Sequence, residues 1–201
     1  MLDNTAVVVV DVQNDFVHPA GKVGVQPDTD MTPLLGAVDE INRLIVAARD
    51  SSTPVAYVRV THSPSVDAPS YRARYEIRGM SPDDLLCADG SWGADFFEGL
   101  LAPETGDLVV TKHGYDGFAV DHLTARLREL GVDTVIVTGV VTELCVLGTV
   151  AGGFEQGFHI VVPRETTASV DSEAAEAALK LIAGFYGTVV SVDECIQSLQ
   201  E

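Results

Sequence analysis

Positive charge is what this chain lacks most. Thirty Asp and Glu face twelve Lys and Arg, a formal net charge of −18, and the only lysines are Lys22, Lys112 and Lys180. A field of that sign repels nucleic acid and anionic membrane surfaces, so neither is expected as a partner. Cysteine is scarce too. Cys87, Cys145 and Cys195 are odd in number, far apart and form no CxxC. That encodes neither a disulfide framework nor a zinc site and fits a reducing compartment. No apolar run nears the ~20 residues of a membrane span. The first residues carry no basic segment, and Asp3 and Asp11 flank their short apolar stretch. The expectation is a soluble, cytoplasmic protein. No GxGxxG follows a strand and no P-loop occurs, which argues against nucleotide binding.

What is present is a regular alternation of two periodicities. Thr5–Asp11 is a continuous apolar run that ends on a carboxylate, the pattern of a strand buried on both faces. Val55–Val60, Leu108–Lys112, Val135–Thr138, Phe158–Val162 and Thr188–Val192 read as five further strands. Between them, Leu34, Leu35, Val38, Ile41, Leu44, Ile45 and Ala48 fall on one face of a helix over 31–50, with Thr32-Pro33 as cap and first-turn proline. Helices are also expected over Val120–Leu130, closed by Gly131, from Thr142 or Glu143 to about Gln156, closed by Gly157, and over Ser172–Phe185. Asp193 is expected to cap a short final helix. The stretch from Gln13 to Gly21 reads as a loop.

Residues 61–106 lack clear periodicity. They hold Pro64, Pro69, Pro82 and Pro103 and three of the nine arginines, Arg72, Arg74 and Arg78. This segment is either a solvated face or a lid that offers a guanidinium to a polar substrate. The whole predicts one α/β domain, residues 1–201: a three-layer doubly wound arrangement with a mostly parallel six-stranded sheet and helices on both faces.

Three strands deliver a chemical group at their carboxyl ends: Asp11, Lys112 and, just past the fourth, Cys145. Taken singly, each has an ordinary reading, a small buried thiol or a solvated strand terminus. In a parallel sheet, however, all these ends share one edge, where open α/β sheets place their ligands. Their chemistry is also complementary. A thiol attacks a carbonyl, a carboxylate takes and returns its proton, and an ammonium is expected to lower the thiol pKa and keep the carboxylate ionised.

At these residues the chain resembles the isochorismatase-like cysteine hydrolase superfamily. Val-Val-Asp11-Val-Gln-Asn-Asp-Phe resembles its first motif, Lys112 with Tyr115-Asp-Gly-Phe118 its second, and Thr-Gly139-Val-Val-Thr-Glu-Leu-Cys145-Val its third. The resemblance implies the superfamily's hydrolase fold and a catalytic triad of Asp11, Lys112 and Cys145. It also implies a cis peptide between Val140 and Val141, and an oxyanion hole from the Val141 and Cys145 backbone N–H groups. Phe16, Trp92, Tyr115 and Phe118 match or neighbour positions that line the family's pocket. Nicotinamidases of the family hold a metal on an Asp-x-His pair and a further His. Here that region reads Arg59-Val-Thr-His62-Ser, and Leu86 precedes Cys87 where the further His would stand. A lone His does not make a metal site, so no metal and no cofactor are expected.

The segment Asp89-Gly-Ser-Trp-Gly-Ala-Asp-Phe is most similar to the ureido- and carbamoyl-amide hydrolases, among them N-carbamoylsarcosine amidase, biuret hydrolase and ureidoacrylate amidohydrolase. The resemblance implies a homo-oligomeric amidohydrolase that cleaves a C–N bond of a small carbamoyl, ureido or carboxamide substrate through a thioester. Nicotinamidase or isochorismatase-type non-amide hydrolysis, and a non-catalytic redox-sensing thiol protein, remain open alternatives.

Lysine scarcity on an acidic surface fits a high-salt habitat, where the screening length shrinks to ~3 Å at 1 M and self-repulsion is damped. On this reading the melting temperature rises with added NaCl and the fold is lost on dialysis into low salt. A melting curve indifferent to salt marks an ordinary acidic protein instead.

Overall fold

The computed structural model describes residues 4–77, 81 and 84–200. Arg78 and Pro82, named above, lie outside the described residues. Strand β1 (Thr5–Val10) is buried along its whole length. It pairs in parallel with β2 (Val55–Val60) on one side and β4 (Thr134–Val140) on the other. β3 (Leu108–Lys112), β5 (His159–Pro163) and β7 (Gly187–Val190) complete the parallel order β3-β2-β1-β4-β5-β7. A seventh strand, β6 (Thr167–Ala168), is only two residues long and pairs with the end of β4 at Gly139 and Val140.

The period of two along β1 builds the layers. Val7 and Val9 point into one core with Leu34, Val38, Ile41, Leu44 and Ile45 of α2 (Thr32–Asp50) and with Val192, Cys195 and Leu199 of α7 (Val192–Gln200). Ala6, Val8 and Val10 point into the other. There they meet Leu123 and Leu127 of α4 (Asp121–Glu129), Val150 of α5 (Leu147–Glu155) and Leu179 of α6 (Ser172–Leu181). Each fully buried aliphatic side chain contributes ~1.5–3 kcal/mol, so β1, wholly covered on both faces, anchors both cores. Among the described residues no helix is long and apolar enough to cross a membrane.

The structure corrects several local expectations. Within the stretch expected as loop, Asn14–Val17 forms a single helical turn, α1. The irregular region contains a helix, α3 (Pro69–Ile77), and a tight turn at Trp92–Ala94. Pro33 does sit in the first turn of α2, but Met31 occupies the cap position, and Asp30 Oδ1 accepts the Thr32 N–H at 2.9 Å. The last strand stops at Val190, and the final helix is capped by Ser191, not Asp193. Ser191 Oγ accepts the Glu194 N–H at 3.2 Å, while Glu194 Oε2 accepts the Ser191 N–H at 2.9 Å, a capping box. Asp193 pairs instead with Arg43.

Gly139 marks where β4 meets β1 most closely. Its φ is +121°, and a Cβ there would stand 2.0 Å from the Val10 carbonyl oxygen. Both conditions require glycine. Gly139→Ala is therefore expected to destabilise the fold by at least about 3 kcal/mol, read as a drop in the urea midpoint with an unchanged m-value.

Candidate active site

The register of the sheet sets the site. Val10 pairs with Gly139 across β1 and β4, and Val60 pairs with Lys112 across β2 and β3. Asp11 follows directly on Val10. Its backbone leaves the strand at φ +54°, a left-handed conformation uncommon outside glycine, with its N–H still bonded to the Val58 carbonyl at 2.8 Å. Asp11 is fully buried and Lys112 nearly so, at 0% and 1% exposure. Lys112 Nζ donates to Asp11 Oδ2 at 2.7 Å and to the Gly114 carbonyl at 2.6 Å. After Val140 the chain passes through a cis peptide to Val141 and enters a π-turn over Thr142–Val146 that runs on into α5. Cys145, 6% exposed, stands in that turn. Its thiol interacts with both the Asp11 carboxylate and the Lys112 ammonium. The three side chains expected to converge thus form one buried group.

The electrostatics differ from expectation in two respects. Lys112 does pull the Cys145 thiol down, but burial, followed by the Asp11 carboxylate, pushes it well above the usual thiol range. Desolvation likewise raises Asp11 despite the opposing pull of Lys112. Lys112 loses to burial but gains more from Asp11 and Cys145, so its charged form persists to higher pH. Lys112 and Asp11 stand at ion-pair distance, 2.7 Å, beside a thiol whose protonated form burial favours. Asp11 Oδ1 is buried and makes no hydrogen bond of normal geometry among the described residues. The π-turn has its own consequence: the Val141 carbonyl accepts from Leu144 N and Val146 N, both at 3.2 Å, stepping over the Cys145 N–H between them.

Buried polar contacts hold the surrounding loops. Gln13 Nε2 donates to the Val60 and Ala94 carbonyls, both at 2.8 Å, and its Oε1 accepts the Val60 N–H at 2.8 Å. Asp15 accepts from Cys87 N at 2.7 Å and from Lys22 N at 3.2 Å, and its carboxylate lies where a Cβ on Gly93 would stand. The Tyr115–Phe118 loop rests on α5 through small residues. Gly148 lies under Tyr115, Gly152 under Asp116, and Thr149 Oγ1 accepts the Gly117 N–H at 3.1 Å. The i, i+4 pair of glycines was the available sign of this contact.

The four aromatics expected to line the pocket separate. Phe16 is half-buried between the α2-side core and a small cluster of Val60, Cys87 and Ala94. Trp92 is about half exposed and meets the His18 ring edge-on at 5.0 Å. The Tyr115 hydroxyl accepts from Arg74, whose guanidinium also lies 5.4 Å from the Tyr71 ring. Phe118 is a core residue rather than a pocket wall: it is 3% exposed and packs on Phe158 at 5.3 Å, because the turn that ends its loop points the ring under α5. Arg72 is exposed and bonds the Pro64 carbonyl. His62, expected to stand alone, has a buried partner: its Nδ1 lies 2.8 Å from Asp67 Oδ1. Among the described residues no group of three His, Cys, Asp or Glu side chains is arranged to hold a metal ion.

The isochorismatase domain model matches residues 5–194. The chain belongs to the isochorismatase domain family. Ureidoacrylate amidohydrolase RutB of Methylobacterium radiotolerans is 31% identical over 199 residues, 94% of this chain and 76% of that protein. A cysteine hydrolase from Pseudomonas syringae pv. phaseolicola superposes with a TM-score of 0.86 at 28% identity, covering 98% of this chain and 92% of that one. N-carbamoylsarcosine amidase from Thermoplasma acidophilum superposes with a TM-score of 0.75 at 28% identity, covering 94% and 96%. The parallel open sheet described above is thus the hydrolase fold of the isochorismatase family.

The charge arrangement makes a counterintuitive prediction for this family member. Because the Asp11 anion raises the thiol, Asp11→Asn is expected to move the pH profile of Cys145 alkylation by iodoacetamide to lower pH while impairing turnover. An unchanged or alkaline-shifted profile would contradict the electrostatic account.

Proposed function

We propose that this chain is a cysteine-dependent amidohydrolase that cleaves a C–N bond of a small carbamoyl, ureido or carboxamide substrate. The observation that carries the reading is the buried Asp11 carboxylate. One oxygen is tied to Lys112 at 2.7 Å, the other has no hydrogen bond of normal geometry among the described residues, and the Cys145 thiol interacts with the carboxylate. A carboxylate whose basicity is raised by burial is suited to take the Cys145 proton as the sulfur attacks a carbonyl. Lys112 keeps Asp11 ionised before transfer and offsets the negative charge on sulfur during it.

The attack creates a tetrahedral oxyanion. The Cys145 N–H, which the Val141 carbonyl leaves unused, and the Val141 N–H are the donors assigned to it, and such a donor is commonly worth ~3 kcal/mol of barrier. Collapse breaks the C–N bond. The proton held by Asp11 passes to the nitrogen, so an amine or ammonia departs and an acyl or carbamoyl thioester remains on Cys145. Asp11, again ionised, draws a proton from water as its oxygen attacks the thioester. The second collapse releases the acid and returns the proton to sulfur. The amidohydrolase names of the relatives support the bond type, and no step calls on a cofactor.

One observation favours a second reading. A burial-raised Asp11 also fits a general acid that protonates a vinyl ether, with Cys145 idle. The two separate in one experiment: ammonia release from N-carbamoyl amino acids, biuret, ureidoacrylate, nicotinamide and simple carboxamides, with wild type and Cys145→Ala side by side. The expected result is turnover of at least one carbamoyl or carboxamide compound, reduced about a thousandfold or more by Cys145→Ala. Activity that survives the substitution removes the nucleophile from Cys145 and promotes the acid mechanism.

A further inference from the structure

The most unusual buried group outside Asp11, Lys112 and Cys145 is the pair His62–Asp67. Both side chains are removed from solvent, at 1% and 0% exposure, and Nδ1 stands 2.8 Å from Asp67 Oδ1. A buried ionisable pair is costly to keep and calls for a reason. Its place in the fold suggests one. β2 lies between β1, which ends in Asp11, and β3, which ends in Lys112. Val60 is level with Lys112, and Thr61 N bonds the Lys112 carbonyl at 3.1 Å. His62 is the next residue, so it emerges on the same sheet edge, between the carboxylate and the ammonium. It interacts electrostatically with both.

The imidazole is held from three sides. Its backbone N–H bonds the Cys87 carbonyl at 3.0 Å, and its carbonyl accepts from Asp89 N at 3.0 Å. Tyr71 stacks on the ring at 4.4 Å and 19°, and Tyr115 follows Tyr71 at 5.6 Å. Asp67 fixes the tautomer: a carboxylate at Nδ1 places the ring proton there and leaves Nε2 as a lone-pair acceptor. Burial holds the ring below its usual pKa against the pull of Asp67, which keeps it neutral. Among the described residues the hydrogen bond shown for the ring is the one at Nδ1. Asp11 is occupied by proton transfer and Lys112 donates only, so His62 offers this edge a neutral, pre-oriented acceptor.

We propose that His62, oriented by Asp67, is a substrate-contacting residue whose Nε2 accepts the N–H of the scissile amide or ureido group, so that the site selects substrates bearing a hydrogen on the leaving nitrogen. This rests on the amidohydrolase reading. An ester of the same shape has an oxygen where the N–H would be and leaves Nε2 unpaired, whereas an amide satisfies it.

The test compares the panel amide that wild type hydrolyses fastest with its methyl ester counterpart, in which –OCH3 replaces the leaving –NH2. His62→Leu is expected to lower amide kcat/KM by about tenfold to a hundredfold while ester kcat/KM changes less than about threefold. His62→Gln, which carries an acceptor oxygen near the Nε2 position, restores most of the amide rate; His62→Asn, whose shorter side chain reaches only the Nδ1 position, does not. That pair decides the matter if the Leu variant fails to fold. Equal losses on amide and ester, or an unchanged amide rate, reduce His62 to a structural role and overturn the proposal. Wild type that hydrolyses no amide, or leaves amides intact while cleaving esters, overturns the amidohydrolase reading itself, before His62 is altered.

Discussion

Lys112 reaches across a strand. Adjacent strands lie ~4.8 Å apart, and β2 separates β1 from β3, so the strand ends that carry Asp11 and Lys112 are roughly 10 Å apart at the backbone. Only a long side chain closes that gap to the 2.7 Å between Nζ and Oδ2. Both partners are out of water, so neither is tolerable without the other; removing one member of a buried pair typically costs ~3–5 kcal/mol. The ion pair therefore ties the three-strand order to the chemistry of the edge. Without β2 between them the lysine would overshoot, and without parallel pairing the two groups would leave from opposite ends.

That same burial dictates how the site rests. Water would have stabilised a thiolate at Cys145, and the lysine alone would have favoured it. Excluding water reverses the balance, and the adjacent carboxylate reinforces the reversal. The shift favours the protonated thiol, the form less reactive towards oxidants and alkylating agents. A nearby carboxylate of raised basicity then becomes the natural recipient of the proton. In the mechanism proposed above, nucleophile and base are therefore poised against each other rather than separately activated.

The loops that surround this edge are fixed by buried hydrogen bonds as well as by apolar packing. Gln13 joins the end of β2 to the turn at Ala94, and Asp15 gathers Lys22, Cys87 and Gly93. Asp67 orients His62 in the same way. The Gln13 and Asp15 clamps are met by backbone groups, the condition under which buried polar groups rigidify rather than destabilise; Asp67 is met at Oδ1 only, and its buried Oδ2 makes no hydrogen bond among the described residues. The cost of those clamps is met by the aliphatic layers on either side of β1.

Much of this was legible in one dimension, because the signals are local. Continuous apolar runs and helical apolar periodicities placed six strands and the long helices, and β1, β3 and the segment after β4 each carried a chemical group at a carboxyl end. Even the capping box at Ser191 and Glu194 was within four residues, and Asp193 drew attention from it only by being acidic. What the tertiary structure alone decided depends on which strands are neighbours and where water is absent. Strand order set the reach of Lys112. Loop closure through Ser63–Val66 brought Asp67 onto His62, which by spacing alone looked solitary. The packing of the Tyr115–Phe118 loop onto Gly148 and Gly152 carried Phe118 into the core. The direction of the Cys145 shift was likewise hidden, because desolvation belongs to a three-dimensional surrounding and no residue spacing encodes it.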